Sequence, residues 1–267
     1  MDFPKIVAMY RVKNEERWIE KSIQSILDIC STIVVLDDGS SDSTLEICKS
    51  FDNVIIQSQS NLPFDEARDR NIILKMAMKE KPDYVFEIDG DEILASNSYD
   101  IFFDELTVLY PNIDVFELQI LYMWDKPNQI RYDGIFSRTW QKRLVNLKNQ
   151  TELMFENTPY PGNMHSGFSS TNTVGYDRSV PSKVKILHYG NYDQKIREEK
   201  FEFYNKIDPN NKLTDEYRHI VSDDSKFSGE EGLIYKFLPD GVFYPNLWFL
   251  SLSFGIKILI LTQEIFN

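Results

Sequence analysis

Thr32-Ile33-Val34-Val35-Leu36-Asp37-Asp38-Gly39-Ser40-Ser41-Asp42-Ser43-Thr44 decides the fold. The nearly unbroken β-branched run Thr32–Leu36 is what a strand covered on both faces requires, because neither set of alternating side chains meets water. Asp37-Asp38-Gly39-Ser40 ends it, and Ser43 with Glu46 has the spacing of a capping box, which predicts a helix running to about Phe51. The same strand-then-helix pattern recurs on either side. Lys5–Tyr10 reads as a strand, followed by a helix capped by Asn14 with Trp18, Ile19, Ile23, Ile26 and Leu27 at helical spacing. Val54–Ile56 reads as a third strand, with a helix from Phe64 to Glu80 that stops before Pro82. Asp83–Ile88 is a fourth strand, and it runs into Asp89-Gly90-Asp91-Glu92. Four such units imply an α/β fold, a mostly parallel sheet with helices on both faces.

Beyond residue 95 the pattern changes. Ile101–Leu109 reads as a helix, and Asp114–Met123, Gln129–Phe136 and Trp140–Leu147 read as longer strands, a smaller mixed β half. Residues 149–182 form a long loop rich in Asn, Ser, Thr, Gly and Pro. Lys183–His188 is a further strand and Gln194–Lys206 a charged helix. The division expected is 1–207 as one domain, with 1–95 and 96–207 as its halves, and 208–267 as a C-terminal helical, apolar tail.

The tail holds Leu247–Leu261, apolar except for Lys257 and two serines. It falls short of the roughly 20 apolar residues that a spanning helix needs. Leu247, Leu250, Phe254, Ile258 and Leu261 share one helical face, so the expectation is packing on the domain or on a second copy. Peripheral contact with a membrane is the alternative. Charged Lys5, Arg11, Lys13, Glu15 and Glu16 interrupt any secretory apolar region, so the expected compartment is the cytosol, extending to the cytoplasmic membrane face if the tail binds lipid. Cys30 and Cys48 sit in apolar helical contexts and are expected to be core residues.

The chain has 267 residues, with 29 Lys and Arg against 42 Asp and Glu, a formal charge of −13. That excess excludes a duplex nucleic-acid binder, which must neutralise phosphates with clustered cations. In an open α/β sheet, ligands bind beyond the carboxyl ends of the strands. Three polar groups fall there: Arg11–Glu15, Asp37–Ser40 and Asp89–Asp91. Two acidic groups that meet in an acidic protein repel each other unless a cation lies between them. Hard oxygen donors at short spacing suit Mg2+ or Mn2+, commonly shared with substrate phosphates. The residues therefore point to a metal-bridged diphosphate ligand.

Lys13-Asn14-Glu15, the segment Ile33–Thr44 and Glu87-Ile88-Asp89-Gly90-Asp91-Glu92 together resemble a family 2 glycosyltransferase of the GT-A fold. Arg70-Asn71, with Arg68 beside it, is similar to that family's Arg-Asn element, Trp140–Leu144 to its Arg-Leu strand, and Lys185–Gly190 to its late His-Tyr-Gly element. The resemblance is strong over residues 5–94, weaker to about 205, and absent beyond about 208.

The resemblance implies transfer of a sugar from a nucleotide-sugar, a UDP-sugar by expectation, to an acceptor hydroxyl, with inversion and a divalent metal. The acceptor is a glycan, a lipid-linked molecule or a protein. Asp37 or Asp38 would bond the nucleobase, Tyr10, Arg11 and Asn14 would line the base and ribose pocket, and Arg68 or Arg70 would reach base or phosphates. Asp91 would ligate the metal, with Asp89 near the ribose or the metal's water shell. His188 is either a further metal ligand or a satisfied structural residue. The family's Glu-Asp base pair is not visible at its usual place, and Glu156-Asn157 is the nearest substitute, with Asp133 and Asp177 as other candidates. His165, in the polar loop, is expected to be exposed or to contact acceptor. Two rivals differ in class. A sugar nucleotidyltransferase would need glycines after the first strand, which Arg11-Val12-Lys13-Asn14 lacks. A non-catalytic sugar- or nucleotide-binding module is opposed by the intact pair Asp89 and Asp91.

Overall fold

A computed structural model describes residues 3–60, 62–133, 136, 139–210, 217–221 and 235–237. The first half is β1 (Ile6–Val12), α1 (Ile19–Gln24), β2 (Thr32–Asp37), α2 (Thr44–Lys49), β3 (Val54–Ser58), α3 (Glu66–Lys79) and β4 (Tyr84–Glu87). β5 (Glu92–Leu94), α4 (Ser98–Asp104), a π-helical turn Glu105–Leu109, β6 (Val115–Trp124), β7 (Lys126–Arg131), β8 (Trp140–Asn146), β9 (Val180–His188) and α5 (Gln194–Ile207) follow. A short α6 (Arg218–Val221) and β10 (Tyr235–Phe237) close the described chain.

One sheet runs β10-β7-β6-β8-β4-β1-β2-β3, with β9 paired to β5 and β6. β3, β2, β1 and β4 are mutually parallel. β8 joins β4 antiparallel, as do β6 to β8 and β7 to β6. The sheet is therefore mixed: the expected parallel order holds through β3, β2, β1 and β4, and in the second half β6 pairs parallel with β9 beside its antiparallel neighbours.

Strand period explains the two cores. Along β2, Ile33 and Val35 enter one buried cluster with Ile19, Ile23 and Ile26 of the α1 segment and Phe102 of α4, while Val34 and Leu36 enter another with Ile73, Leu74, Met76 and Ala77 of α3. β1 alternates the same way, Ile6, Ala8, Tyr10 and Val12 against Val7 and Met9. Helices thus cover both faces of the parallel half, as the apolar run required. Cys30 and Cys48 are free and buried in the α1-side core.

Two expected caps are not formed. Asn14 adopts φ 56°, and its Oδ1 accepts the Ser41 N–H at 2.8 Å, so it ties the loop after β1 to the loop after β2, and α1 begins after Trp18 instead. Ser43 makes no side-chain cap bond, and its own N–H donates to Glu16 Oε2 at 3.0 Å, the place a capping box gives to Glu46. Asp65 does cap α3, accepting the Arg68 N–H at 3.0 Å. The apolar run Leu247–Leu261 lies outside the described residues. Among the described residues, no helix is long and apolar enough to cross a membrane.

Phe86 is fully buried and meets Phe102 edge-on with ring centroids 6.0 Å apart. Phe86→Ala should lower unfolding free energy by about 3–5 kcal/mol, read from urea denaturation.

Candidate active site

The site is built where β1, β2 and β4 end. The alternation that sends Tyr10, Phe86 and Ile88 beneath the sheet leaves Met9, Arg11, Glu87 and Asp89 on the α3 side. With Arg70, Ile73 and Phe155 these four residues line a small cavity of about 10 Å³.

Arg11 holds the acids after β2 and on α3 together. Its Nη2 donates to Asp38 Oδ2 at 2.7 Å and its Nε to Asp69 Oδ2 at 2.9 Å, with the guanidinium 4.8 Å from the centroid of Phe64. Gln59 Nε2 bridges the same two carboxylates at 3.1 and 2.8 Å, and Arg68 donates twice to Asp69. Asp38 is the acid within this network. Asp37 is turned into the loop, where its Oδ1 accepts the Ser40 N–H at 3.1 Å.

The second cluster follows β4. Arg70 pairs with Glu66 at 2.6 Å and with Glu87, and lies 3.6 Å from Asp89. Arg143, from β8, is buried and lies 3.0 Å from Glu92, 3.3 Å from Asp89 and 3.3 Å from Glu87. Burial alone would raise the Asp89 carboxyl, but Arg143, then Arg70 and His188, outweigh it and hold it far below the usual carboxylate range. Glu92 also fixes the turn, its Oε2 accepting the Asp89 N–H at 3.0 Å.

Asp91 lies at the outer end of that turn. β5 pairs antiparallel with β9, which sets Glu92 opposite His188 and brings the histidine beside Asp91. His188 Nδ1 is 3.5 Å from Asp91 Oδ1 and has no hydrogen-bond partner although buried. A Cβ placed on Gly190 would fall 2.2 Å from Asp91 Oδ2 and 2.7 Å from His188 Nε2, so these two donor atoms converge on a spot that only glycine leaves open. Glu15 adds a third acid. Burial first, then Asp91 and Asp89, raises its carboxyl well above the usual range, with Lys200 acting in the opposite direction. Among the described residues no group of three or more His, Cys, Asp or Glu forms a metal cage. A pair of donors still fits a hard cation that takes its remaining ligands from diphosphate and water.

Several expected residues are elsewhere. Tyr10 does not line the pocket. It is fully buried in the α1-side core, and its hydroxyl meets Ser22 Oγ at 2.9 Å. Strand alternation forces this, since Arg11 takes the opposite face. Its contribution is support: Ser22 Oγ donates to the Glu92 carbonyl at 2.5 Å and so braces the acidic turn from below. Glu156 is one residue past Phe155, whose ring is on the cavity side. Its carboxylate instead accepts the Ser170 N–H at 3.3 Å, within its own loop. Asp133 is locked to Arg131 at 2.9 Å with both side chains 1% exposed, and Asp177 is exposed on a 3-10 turn. His165 is exposed, and its backbone N–H donates to Glu66 Oε2 at 2.7 Å.

Glu87, Glu92, Asp69 and the structural weight of Arg143 were not expected from sequence. One signal was available: an acid at residue 87, inside a strand otherwise apolar enough to be buried, needs a cationic partner.

An acidic crevice at the carboxyl ends of parallel strands, braced by buried arginines, is the class of site that these elements define. The glycosyl transferase family 2 model matches residues 11–159, more than half of the chain, and the chain belongs to that family. The chain is 23% identical over 193 residues to the minor teichoic acid biosynthesis protein GgaA of Bacillus subtilis (strain 168), a match that covers 67% of this chain and 40% of that protein. It thus spans well under half the length of the curated relative it matches. Among solved structures, S. aureus TarS 1–349 aligns with a TM-score of 0.46 at 14% identity, over 81% of this chain and 69% of that one. Glucosyl-3-phosphoglycerate synthase from Mycobacterium tuberculosis, in complex with Mg2+ and UDP, aligns with a TM-score of 0.34 at 21% identity, over 45% and 44%.

Removing Arg143 should expose the cost of the buried acids. Arg143→Met should destabilise the fold by about 3–5 kcal/mol, because three carboxylates lose their shared counter-charge. A depressed carboxyl contributes stability above its ordinary pKa, and that contribution is lost as pH falls toward its folded value. Weakening that depression should move the acid-unfolding midpoint of Arg143→Met to higher pH than wild type, as read by circular dichroism.

Proposed function

We propose that the chain transfers a glycosyl group from a UDP-sugar to an acceptor hydroxyl, with inversion at the anomeric carbon. The observation that carries this reading is the convergence of Asp91 Oδ2 and His188 Nε2 over Gly190, next to the Arg11–Asp38 network at the ends of β1 and β2. In this reading Asp38 accepts a hydrogen bond from the base, Asp37 shapes the loop that presents it, and Asn14 ties that loop down. Arg68 and Arg70 border the donor, and Asp89 lies toward the ribose. Asp91 and His188 would hold Mn2+ or Mg2+, which supplies charge neutralisation for the leaving diphosphate when bound.

Residues 1–95 would serve the donor and 96–207 the acceptor. Glu156 is the proposed general base, reached when bound acceptor draws its carboxylate off the Ser170 amide. The acceptor classes remain glycan, lipid-linked molecule or protein. A relative named for teichoic acid biosynthesis supports an acceptor of that polymer kind.

The test is calorimetry with UDP, with and without Mn2+, followed by UDP release from a panel of UDP-sugars. Tight UDP binding that EDTA weakens, with UDP release in an acceptor extract, is the expected result. UDP binding without release from any donor would favour the non-catalytic module instead. Asp38→Ala should weaken UDP by roughly 10- to 150-fold, the loss of about 1.5–3 kcal/mol for a hydrogen bond to a charged acceptor. Asp91→Ala should abolish transfer and remove the Mn2+ dependence of UDP binding. Glu156→Gln should lose transfer while keeping UDP affinity.

A further inference from the structure

α5 brings one more charge to the site from beyond the family's matched segment. Lys200 Nζ lies 3.4 Å from the carbonyl oxygen of Gly190, the residue over which Asp91 and His188 converge. Its side chain is half-buried, against the Tyr122 and Tyr204 side of the crevice. The two guanidiniums nearby are committed, Arg70 to Glu66 and Glu87 and Arg143 to Glu87, Asp89 and Glu92. Lys200 is different. Its described hydrogen bond goes to a carbonyl, which uses one of three ammonium donors and leaves two for a ligand. Burial alone would lower its pKa, but Tyr204, Asp91, Tyr122 and Glu15 outweigh that, so the amine keeps its proton.

We propose that Lys200 is a diphosphate-contacting catalytic residue that donates to the terminal phosphate oxygens of the donor's leaving group. The inference rests on the nucleotide-sugar reading given above. In the step it serves, the acceptor oxygen forms a bond to the anomeric carbon while the bond from that carbon to the diphosphate oxygen breaks. The electron pair stays on the diphosphate, and the acceptor's proton passes to the general base. Lys200 remains protonated throughout and offsets the charge that gathers on the leaving oxygens. In the free protein the same ammonium offsets Asp91 and Glu15, which would otherwise repel an incoming diphosphate.

Calorimetric titration of wild type and Lys200→Met with UDP and with UMP, in EDTA and in Mn2+, tests this, because only UDP carries the terminal phosphate. The expected result is a loss of about 10-fold or more in UDP affinity in both media, with UMP affinity changed less than about twofold and Lys200→Arg restoring most of the loss. Equal losses for UDP and UMP would make Lys200 a structural prop and overturn the proposal, and unchanged UDP affinity would overturn it as well. A wild-type protein that binds no UDP in Mn2+ would instead overturn the nucleotide-sugar reading, and this proposal with it. If Lys200→Met does not fold, Lys200→Gln takes its place in the same titrations and is read by the same outcomes.

Discussion

The rest of the site depends on two guanidiniums placed among four carboxylates. Glu66, Glu87, Asp89 and Glu92 lie within salt-bridge reach of Arg70 and Arg143, and Arg143 is almost entirely out of water. No single element could build this. Glu87 and Asp89 come from the end of β4, Glu92 from β5, Glu66 and Arg70 from α3, and Arg143 from β8 in the antiparallel half. A buried carboxylate without a counter-charge costs far more than a surface one. The acidic turn can therefore form only when both halves of the sheet are docked, and the cluster couples the parallel half to the antiparallel half.

The arrangement leaves a gradient of charge compensation along the turn. Glu87, Asp89 and Glu92 are paired with arginines, while Asp91, at the outer end, has His188 at 3.5 Å and the more distant Lys200 among the described residues. The inner acids share the two arginines, and the outer acid does not. A hard cation bound there would add to charges already arranged, so the protein's own arginines need not move when a diphosphate arrives.

Much of this was legible in the sequence, and the failures are specific. The β-branched run of β2 gave the parallel half, and the acids after β2 and β4 gave the crevice, because strand ends and turn residues are local signals. The resemblance sets Tyr10 and Arg11 in one pocket lining, although a period of two cannot put both on one face. The same period, applied to β4, sets Glu87 two residues before Asp89 on the pocket side, so its role was readable and was missed. Ser43 and Asn14 have the composition of caps, yet Glu16 and Ser41 offer competing partners that spacing alone does not rank. Arg143 could be seen as part of a strand, but its partners are more than 50 residues away in the chain, a pairing that sheet order alone determines.

The long loop of residues 149–182 is fixed to α3 by a bond pattern of a different kind. Asn71, on α3, receives the Phe155 N–H on its Oδ1 at 3.0 Å and donates to the Phe155 carbonyl at 2.8 Å, acting on the loop as a neighbouring strand would. Asp65 and Glu66 at the start of the same helix hold Asn163 and His165. The helix that carries Arg68 and Arg70 to the crevice thus also sets the position of the long loop of residues 149–182. A displacement of α3 would be felt in that loop through four hydrogen bonds rather than through the sheet. The crevice and the loop then share one rigid element, and the loop's lack of regular structure does not make it independent of the crevice.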